Sequence, residues 1–517
     1  MLIGDVLERN AALFGNLPAV VYQGDSVTHR ELLARARRTG NALLGLGLQR
    51  QDRVLILAQN CIEFIELIGA VSLTGMISVG LNYRLSEAEQ LHIVRDCDPA
   101  IWIYEAQYAD RVRSICAQLA SAPILVCVGG EPSQGGHEYR QLQSAASDER
   151  PDVRVTGEDT VFLIYTSGTT GHPKGVMHGQ QAQVAHMMIC SNAFSVNPTD
   201  RALVVMPFYH VGAINIYLGY AWAGAAIVLH RAFDVVEVFE SLDANRVTAA
   251  LFAPVMIQSL LNAPDEVRRK PQFLRTIVYS SSPMPVPLLK RAIAHFGPVF
   301  IQVYGATENV LGTVMYKHQH QPDGAPGEKR RLASAGQSYF GCRIEIRGPD
   351  GSVCATGEVG EVAILSPALM QGYWNNTIAT LTAVRDGWYC SGDLGYLDED
   401  QFLFLVDRKK DMIISGGENI YSREVEEALL THGSVMEAAV VGVPDAHWGE
   451  SVMAFVVCTG DPPLAQELVD HCRRQIASYK KPRHVRFVEA LPRVPSTNKI
   501  DKKALRDPQW TGMGQAG

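Results

Sequence analysis

The feature of this sequence that most restricts its fold is the alternation of short apolar runs with helical patterns. Residues 54–58 (VLILA) form an apolar run typical of a buried parallel strand, and a helical pattern follows over residues 62–71. The same rhythm returns at residues 202–206, 225–229, 276–280 and 299–303. This alternation predicts an α/β domain in which mostly parallel sheets are flanked by helices.

The pattern changes from about residue 344, where short strands are separated by turn signals such as residues 348–351 (GPDG). A charged run, residues 407–411 (DRKKD), then precedes a stretch with its own core pattern. Its predicted helices lie near residues 422–430 and 465–477, and its predicted strands near 438–443, 452–457 and 485–488. We therefore predict a large domain over residues 1–409 and a small α+β domain over residues 410–517.

Composition excludes several classes of protein. With 46 basic and 54 acidic residues the net charge is −8, which argues against a general nucleic-acid binder. The apolar stretch at residues 61–80 is interrupted by Glu63 and Glu66, so no membrane span is expected, and the N-terminus does not resemble a signal peptide. The ten cysteines contain no C-x-x-C pair, which favours a reducing cytoplasm over a zinc site or a disulfide framework.

One segment, residues 165–175 (YTSGTTGHPKG), carries the strongest chemical signal. It follows an apolar strand pattern at residues 161–164 and combines hydroxyl side chains, glycines and a lysine. Backbone N–H groups and hydroxyls of such a loop can surround phosphate oxygens, and the lysine adds a positive charge. The order of residues is not the G-x-x-x-x-G-K-[ST] of P-loop NTPases.

This segment closely resembles the phosphate loop of the adenylate-forming superfamily, which includes acyl- and aryl-CoA synthetases, luciferase-like enzymes and peptide-synthetase adenylation domains. The resemblance runs from about residue 5 to residue 508, and further motifs occur in the family order. The resemblance implies the family fold: a large domain with a β-barrel-like part, and a small mobile C-terminal domain. It also implies that ATP is bound by Thr166, Ser167, Gly168, Thr169, Thr170 and Lys174.

A second motif, residues 304–308 (YGATE), resembles the family's other nucleotide segment. There an aromatic ring can cover adenine, a threonine hydroxyl can bind the α-phosphate, and a carboxylate can hold Mg²⁺. The implied nucleotide contacts are Tyr304, Gly305, Ala306 and Thr307, together with Ser281, Ser282 and Pro283 of the adenine loop. The implied metal ligands are Thr166 and Glu308.

The remaining family motifs lie towards the C-terminus. Asp393, in residues 388–395 (WYCSGDLG), corresponds to the aspartate that holds the ribose hydroxyls, because a carboxylate can accept from both. By the same resemblance Arg408 contacts ribose or phosphate, Lys410 is the hinge, and Gly416 and Gly417 border the pantetheine tunnel of coenzyme A. Lys499 corresponds to the catalytic lysine, with Asn498 where the family commonly has glycine.

The segment 207–212 (PFYHVG) resembles the acyl-pocket motif, with His210 near the reacting carboxylate. The implied pocket is nearly all apolar and consists of His210, Val211, Gly212, Phe252, Val303, Gly305, Val310 and Leu311. A second charge on the acid would be buried there without a partner, so the expected substrate is a hydrophobic fatty or aromatic monocarboxylate. We expect Gly212 and Gly305 to leave room for it, and we interpret residues 318–320 (HQH) as a solvated loop.

These observations predict an ATP-dependent carboxylic acid–CoA ligase whose catalytic residues are Lys499, Glu308 and His210. It would use ATP, Mg²⁺ and coenzyme A, would not bind nucleic acid and would have no integral membrane segment. A homodimer is one assembly to be expected. Three alternatives stay open: an adenylating enzyme that delivers its acyl group to a carrier protein or another acceptor, an amino-acid-activating domain, and an inactive nucleotide sensor. The intact Glu308 and Lys499 argue against the sensor, and the acyl-pocket motif lacks the aspartate that amino-acid-activating domains use.

Overall fold

The computed structural model of the chain describes residues 1–133, 135–166, 173–494 and 499–511. Its helices are α1 (Ile3–Leu13), α2 (His29–Gly45), α3 (Ile62–Thr74), α4 (Glu87–Cys97), α5 (Ala109–Cys116), α6 (Tyr139–Ala145), α7 (Gln180–Ala193), α8 (Val211–Ala223), α9 (Val235–Ala244), α10 (Pro254–Leu261), α11 (Val286–Phe296), α12 (Pro326–Arg331), α13 (Thr377–Ala383), α14 (Ser422–Leu430), α15 (Ala465–Gln475) and α16 (Lys502–Thr511).

The strands are β1 (Pro18–Tyr22), β2 (Asp25–Thr28), β3 (Arg53–Leu57), β4 (Ile77–Gly80), β5 (Ile101–Glu105), β6 (Ile124–Val128), β7 (His137–Glu138), β8 (Thr160–Thr166), β9 (Lys174–Gly179), β10 (Arg201–Val204), β11 (Ala226–Leu229), β12 (Ala249–Phe252), β13 (Thr276–Tyr279), β14 (Phe300–Tyr304), β15 (Thr313–Met315), β16 (Gln337–Ser338), β17 (Arg343–Arg347), β18 (Gly360–Leu365), β19 (Gly372–Tyr373), β20 (Val384–Arg385), β21 (Trp388–Leu397), β22 (Leu403–Arg408), β23 (Ile413–Ser415), β24 (Glu418–Ile420), β25 (Val435–Asp445), β26 (Gly449–Cys458) and β27 (His484–Phe487).

The chain divides into two compact units. The first comprises Met1–Ile344 and Ile364–Tyr389, and the second comprises Glu345–Ala363 and Cys390–Gly517. A five-stranded sheet in the order β17-β18-β21-β20, with β22 paired to β21, contains the strands in which the chain passes from one unit to the other. The predicted domain division between residues 409 and 410 stays a prediction.

The first unit is built on two large sheets. One has nine strands in the order β16-β15-β14-β13-β12-β10-β11-β1-β2. Within it β10, β12, β13 and β14 are neighbours and run parallel. The other has eight strands in the order β19-β9-β8-β4-β3-β5-β6-β7, where β3 lies parallel between β4 and β5. The strands predicted at residues 54–58, 202–206, 225–229, 276–280 and 299–303 are confirmed to within about two residues at each end.

Local sequence explains where the helices begin and end. Helix α2 starts at a capping box, in which the Thr28 hydroxyl accepts from the Glu31 N–H and the Glu31 carboxylate accepts from the Thr28 N–H. Helix α3, predicted over residues 62–71, is apolar apart from Glu63, Glu66 and two hydroxyl residues near its end, and it is buried almost throughout. It ends at Gly75, whose φ of 68° is the left-handed conformation that favours glycine.

The second unit contains a five-stranded sheet in the order β24-β23-β26-β25, with β27 parallel to β26. Helix α14 has the predicted bounds, and α15, β25, β26 and β27 lie at the predicted positions. The apolar faces of α14, α15 and these strands share one buried core. The predicted fold class, α/β with a small α+β part, is confirmed. In the described part of the chain no helix has the length and apolarity needed to cross a membrane.

A buried carboxylate joins three helices of the first unit. Glu66, on α3, is fully buried and accepts hydrogen bonds from the Tyr139 hydroxyl at 3.1 Å and the Gln143 side-chain amide at 2.9 Å. It also pairs with Arg35 of α2 at 3.2 Å and with Arg140 of α6 at 2.8 Å. The two arginines are partly exposed and can be solvated by water. Removing the carboxylate would therefore leave chiefly the buried hydroxyl and amide without their hydrogen-bond acceptor.

We expect Glu66→Ala to lower the free energy of unfolding by about 2–4 kcal/mol, since one partner of a buried polar network is lost. Asp110→Ala, which removes an exposed pair with Arg113, is the matched control and should change stability by less than about 0.5 kcal/mol. Urea unfolding measures both. Equal stability of the two variants would contradict a structural role for the buried carboxylate.

Candidate active site

The carboxyl ends of four neighbouring parallel strands collect most of the predicted motifs. Residues 207–212 follow β10, Phe252 ends β12, residues 281–283 follow β13, and residues 304–308 begin at the last residue of β14. Parallel strands in adjacent positions end at the same edge of a sheet, which is where open α/β sheets bind their ligands. The pairing of these strands thus assembles at one edge segments that are up to about a hundred residues apart in the chain.

Backbone strain is present in two of these loops. Ser281 has a φ of 75° and Val310 has a φ of 62°. Positive φ is uncommon for a residue other than glycine, and for β-branched valine it is a genuine outlier. Such conformations cost about 1–3 kcal/mol each and cluster at ligand-binding sites. Their presence in these two loops therefore favours a ligand-binding site at this edge of the sheet.

Gly305 makes the turn at residues 304–310 possible. A Cβ at this position would lie 2.3 Å from the Val310 carbonyl oxygen. The backbone at Val310 approaches residue 305 so closely that only glycine fits there. The expectation that Gly305 leaves room for a substrate is therefore wrong, because the chain's own backbone takes that space. At Gly212 a Cβ would lie 3.1 Å from His210 Nδ1, so little room remains there as well.

Lys174 and Glu308, two predicted nucleotide-site residues, contact the same side chain. The Tyr373 hydroxyl donates to Glu308 Oε1 at 2.7 Å, and the Lys174 ammonium lies 5.0 Å from the centroid of the Tyr373 ring. Thr166 lies opposite Lys174 in the β8–β9 pair and donates from its hydroxyl to the Lys174 carbonyl oxygen at 3.5 Å. Sequence analysis missed Tyr373, and its one signal is an aromatic residue after a glycine in residues 372–374 (GYW).

The second unit brings together three other predicted residues. Asp393 and Arg408 are direct cross-strand partners on β21 and β22, and the Arg408 Nε lies 2.6 Å from Asp393 Oδ1. Packing of protein atoms around the ammonium group and, second, the charge of Arg408 lower the pKa of Lys499, while Asp393 partly offsets them. The Lys499 residue as a whole is nevertheless exposed, so water screens these charges.

The hinge and the glycine loop also lie in the second unit. Lys410 is exposed, and its carbonyl oxygen accepts from the Arg506 guanidinium at 3.3 Å. Gly416 and Gly417 have φ values of 61° and 85°. A Cβ at Gly416 would lie 2.5 Å from the Trp448 ring, whereas nothing lies within 4 Å of one at Gly417. Gly416 thus permits close packing of an indole, and Gly417 borders open space.

Part of the predicted acyl pocket forms one apolar cluster. Val211, Val310 and Leu311 belong to a single buried core, and the partly buried Val303 packs against it. Phe252 is not a member of this cluster and pairs instead with Phe233, at a ring distance of 6.4 Å. The structure therefore places four of the predicted apolar residues in or against the extended core of the first unit.

His210 caps the helix that carries this pocket motif. Its Nδ1 accepts from the Gly212 N–H at 3.0 Å at the start of α8. In the neutral ring the proton then lies on Nε2.

The interpretation of residues 318–320 as a solvated loop is wrong for His320, which is buried and lies 3.0 Å from the Tyr279 hydroxyl. The burial of His320 against Tyr279 could not be predicted from the local sequence, because the two residues are about forty positions apart.

The donor atoms of the candidate metal site are a carboxylate and a hydroxyl. Among the described residues no three His, Cys, Asp or Glu side chains form a group that could hold a metal ion. Mg²⁺ is commonly bound by one or two carboxylates together with substrate phosphates, so the single carboxylate of Glu308 and the oxygen of the Thr166 hydroxyl are donors of the kind that fit that ion. Ser167, Gly168, Thr169, Thr170 and Asn498 lie outside the described residues.

The fold and the loops at its carboxyl edge are those of a nucleotide-binding α/β enzyme. The family model of AMP-binding enzymes matches residues 7–374, and the model of the AMP-binding enzyme C-terminal domain matches residues 424–498. The chain belongs to the AMP-binding enzyme family. The resemblance to adenylate-forming enzymes predicted from the sequence is thereby confirmed.

Similar proteins cover almost the whole chain. A long-chain-fatty-acid–CoA ligase, FadD13 of Mycobacterium tuberculosis, is 34% identical over 98% of this chain and 98% of its own length. A feruloyl-CoA synthase of an Amycolatopsis species is 35% identical over 96% and 97%. The solved o-succinylbenzoate CoA synthetase of Bacillus subtilis, in complex with its acyl-adenylate intermediate, has a TM-score of 0.85 and 31% identity, covering 97% of this chain and 98% of that one.

The packing at Gly305 yields a prediction. Gly305→Ala should weaken ATP binding at least about tenfold, because the added carbon would displace the Val310 backbone and with it the turn that bears Thr307 and Glu308. Gly327→Ala is the matched control, since nothing lies within 4 Å of a Cβ there. Equilibrium titration with ATP measures both, and unchanged ATP affinity of Gly305→Ala would contradict the assignment of this loop.

Proposed function

We propose that this enzyme joins a hydrophobic monocarboxylic acid to coenzyme A in two steps, at the expense of ATP. The reaction class follows from the family: similar proteins over almost the whole chain are named as acid–CoA ligases, so this chain is an AMP-forming acid–CoA ligase. The similar proteins are named for a fatty acid, an aryl acid and o-succinylbenzoate, so their names do not choose the acid.

The chemistry explains why ATP is needed. A carboxylate is a poor electrophile, because thiol attack would have to expel oxide. In the first step a carboxylate oxygen attacks the α-phosphorus of ATP and pyrophosphate leaves, which produces the acyl-adenylate. In the second step the thiol of coenzyme A, with loss of its proton, attacks the acyl carbonyl carbon and AMP leaves. The first step brings two anions together and so requires concentrated positive charge.

The observation that carries the proposal is the group formed by Asp393, Arg408 and Lys499 in the second unit. We assign the ribose hydroxyls to Asp393, the ribose or phosphate to Arg408, and the α-phosphate and the substrate carboxylate to Lys499. A lysine in crowded surroundings with a lowered pKa gains from an anion placed beside it, which is the charge that develops during adenylation.

In the first unit we assign the β,γ-phosphates to Lys174 and the cation to Glu308 and Thr166. A bound Mg²⁺ would supply charge neutralisation at the phosphate oxygens. The residues of the chain orient the nucleotide: Thr307 at the α-phosphate, Tyr304 against adenine, and the loops after β13 and β14 around it. The strained turns at Ser281 and Val310 support this assignment.

We propose that the acid lies against the cluster of Val211, Val303, Val310 and Leu311, with its carboxylate towards His210. This lining has no charge, so an ammonium or a second carboxylate would be buried there without a partner.

We also propose a small domain from residue 410 that turns about Lys410 between the two steps. A reducing cytoplasm is the proposed location, supported by ten cysteines that are thiols in the structure, and a homodimer stays a prediction.

Lys499→Ala should reduce adenylation by about 10²–10³-fold or more but leave thioester formation from supplied acyl-adenylate largely intact, because the lysine acts on charge at the α-phosphate. Lys503→Ala, an exposed lysine on the same C-terminal segment, is the control and should keep both rates. Pyrophosphate release with and without coenzyme A separates the two steps. An equal fall in both would contradict the assigned role, and release that never leads to a thioester would favour another acceptor.

The pocket makes a prediction about substrates. Benzoate-like acids and C8–C16 fatty acids should be turned over with a kcat/KM at least about a hundredfold above that of acetate, dicarboxylates or amino acids, since an unpaired buried charge costs several kcal/mol. A panel scored by thioester formation measures this. If acetate or an amino acid were the best substrate, the pocket assignment would fail while the ligase chemistry stood.

A further inference from the structure

We propose that Tyr373 is a positioning residue for the adenylation step, holding Glu308 and Lys174 in the arrangement that receives ATP and its divalent cation. This inference rests on the proposed function, because it concerns how that same site binds its nucleotide. Four observations in the first unit carry it: a hydrogen bond, a ring contact, the packing of the ring, and the backbone bonds of the segment that bears it.

The hydroxyl of Tyr373 orients the carboxylate. It donates to Glu308 Oε1 at 2.7 Å, and both residues are more than nine-tenths buried. In this contact the phenolic hydroxyl is the donor and the carboxylate oxygen is the acceptor. A carboxylate held at one oxygen has a defined orientation before any ligand arrives, which lowers the entropy cost of binding a cation.

The ring of Tyr373 faces the lysine. Strand β19 pairs antiparallel with β9, and Tyr373 lies opposite Val176 in that pair. Lys174 is two residues before Val176, so it points to the same face of the sheet, and its ammonium lies 5.0 Å from the ring centroid. A cation over an aromatic face is attracted to it, and this contact leaves the charge available to phosphate.

The ring itself cannot turn away easily. Tyr373 packs with Val176 and Met370 in a small buried cluster. Its own N–H donates to the Thr380 hydroxyl at 2.8 Å, and the Met370 N–H donates to the Glu308 carbonyl oxygen at 2.7 Å. The same short segment therefore fixes both the backbone and the side chain of Glu308.

A positioning role explains the use of tyrosine at this site. A direct ion pair between Lys174 and Glu308 would neutralise the two charges that phosphate and cation need. The Tyr373 side chain gives each charge a neutral partner, since its hydroxyl serves the carboxylate and its ring face serves the ammonium. A phenylalanine would keep only the ring contact, and a leucine would keep neither, so the two functions can be separated by substitution.

The experiment compares Tyr373→Phe and Tyr373→Leu with Tyr104→Phe, a buried tyrosine whose hydroxyl lies 2.8 Å from the Ser133 hydroxyl, outside the nucleotide motifs. For each protein, ATP binding is measured by calorimetry in EDTA and over a Mg²⁺ series, and pyrophosphate release is measured over the same series. Thermal unfolding of each variant confirms that it is folded.

For Tyr373→Phe we expect ATP binding in EDTA within about twofold of the parent, and a Mg²⁺ concentration for half-maximal pyrophosphate release raised roughly tenfold. Tyr373→Leu should in addition weaken ATP binding in EDTA by about three- to tenfold. Tyr104→Phe should match the parent. A Tyr373→Phe enzyme with the parent's Mg²⁺ dependence would overturn the inference, whether or not Tyr373→Leu folds. If the parent itself neither bound ATP nor released pyrophosphate, the proposed function would fail instead.

Discussion

The parallel alignment of β10, β12, β13 and β14 is the constraint on which the candidate site depends. Each of these strands is a short apolar run that must be buried on both faces, so the strands can only lie side by side with helices covering them. Once they are parallel, their carboxyl ends share one edge, and the loops that follow them must meet there. The tight turn at Gly305 and the positive φ angles of Ser281 and Val310 all lie in loops at that edge.

The charged residues of the candidate site have different partners in the two units. In the second unit Asp393 and Arg408 pair directly across two antiparallel strands, and Lys499 lies in their field. In the first unit Lys174 and Glu308 are each held by Tyr373. Neutral partners leave the charges of Lys174 and Glu308 available for the phosphate and the cation proposed for them, whereas Asp393 and Arg408 neutralise one another.

Two expectations failed for the same reason. Gly305 was expected to leave space, but the Val310 backbone fills it, and His320 was expected in solvent, but Tyr279 and the sheet bury it. In both cases the deciding neighbour is set by the path of the chain in three dimensions, which local residue types do not encode. Tyr373 was missed likewise, since its partners are distant from it in sequence: Lys174 meets it through the β9–β19 pair, and Glu308 through the packing of residues 370–373 beside the loop after β14.

Residue patterns along the chain were enough to predict the fold class, the family and the charged residues of the site, because hydrophobic periodicity and motif order are local properties of the chain. They predicted α14 at its observed bounds and five strands of the large sheets to within about two residues. Which of those charged residues meet depends on the tertiary structure. Asp393 contacts Arg408 because strand register makes them opposite, and Glu308 contacts Tyr373 because a distant segment packs beside it. Register and packing are global outcomes, set by which surfaces can be buried together, and no single motif contains them.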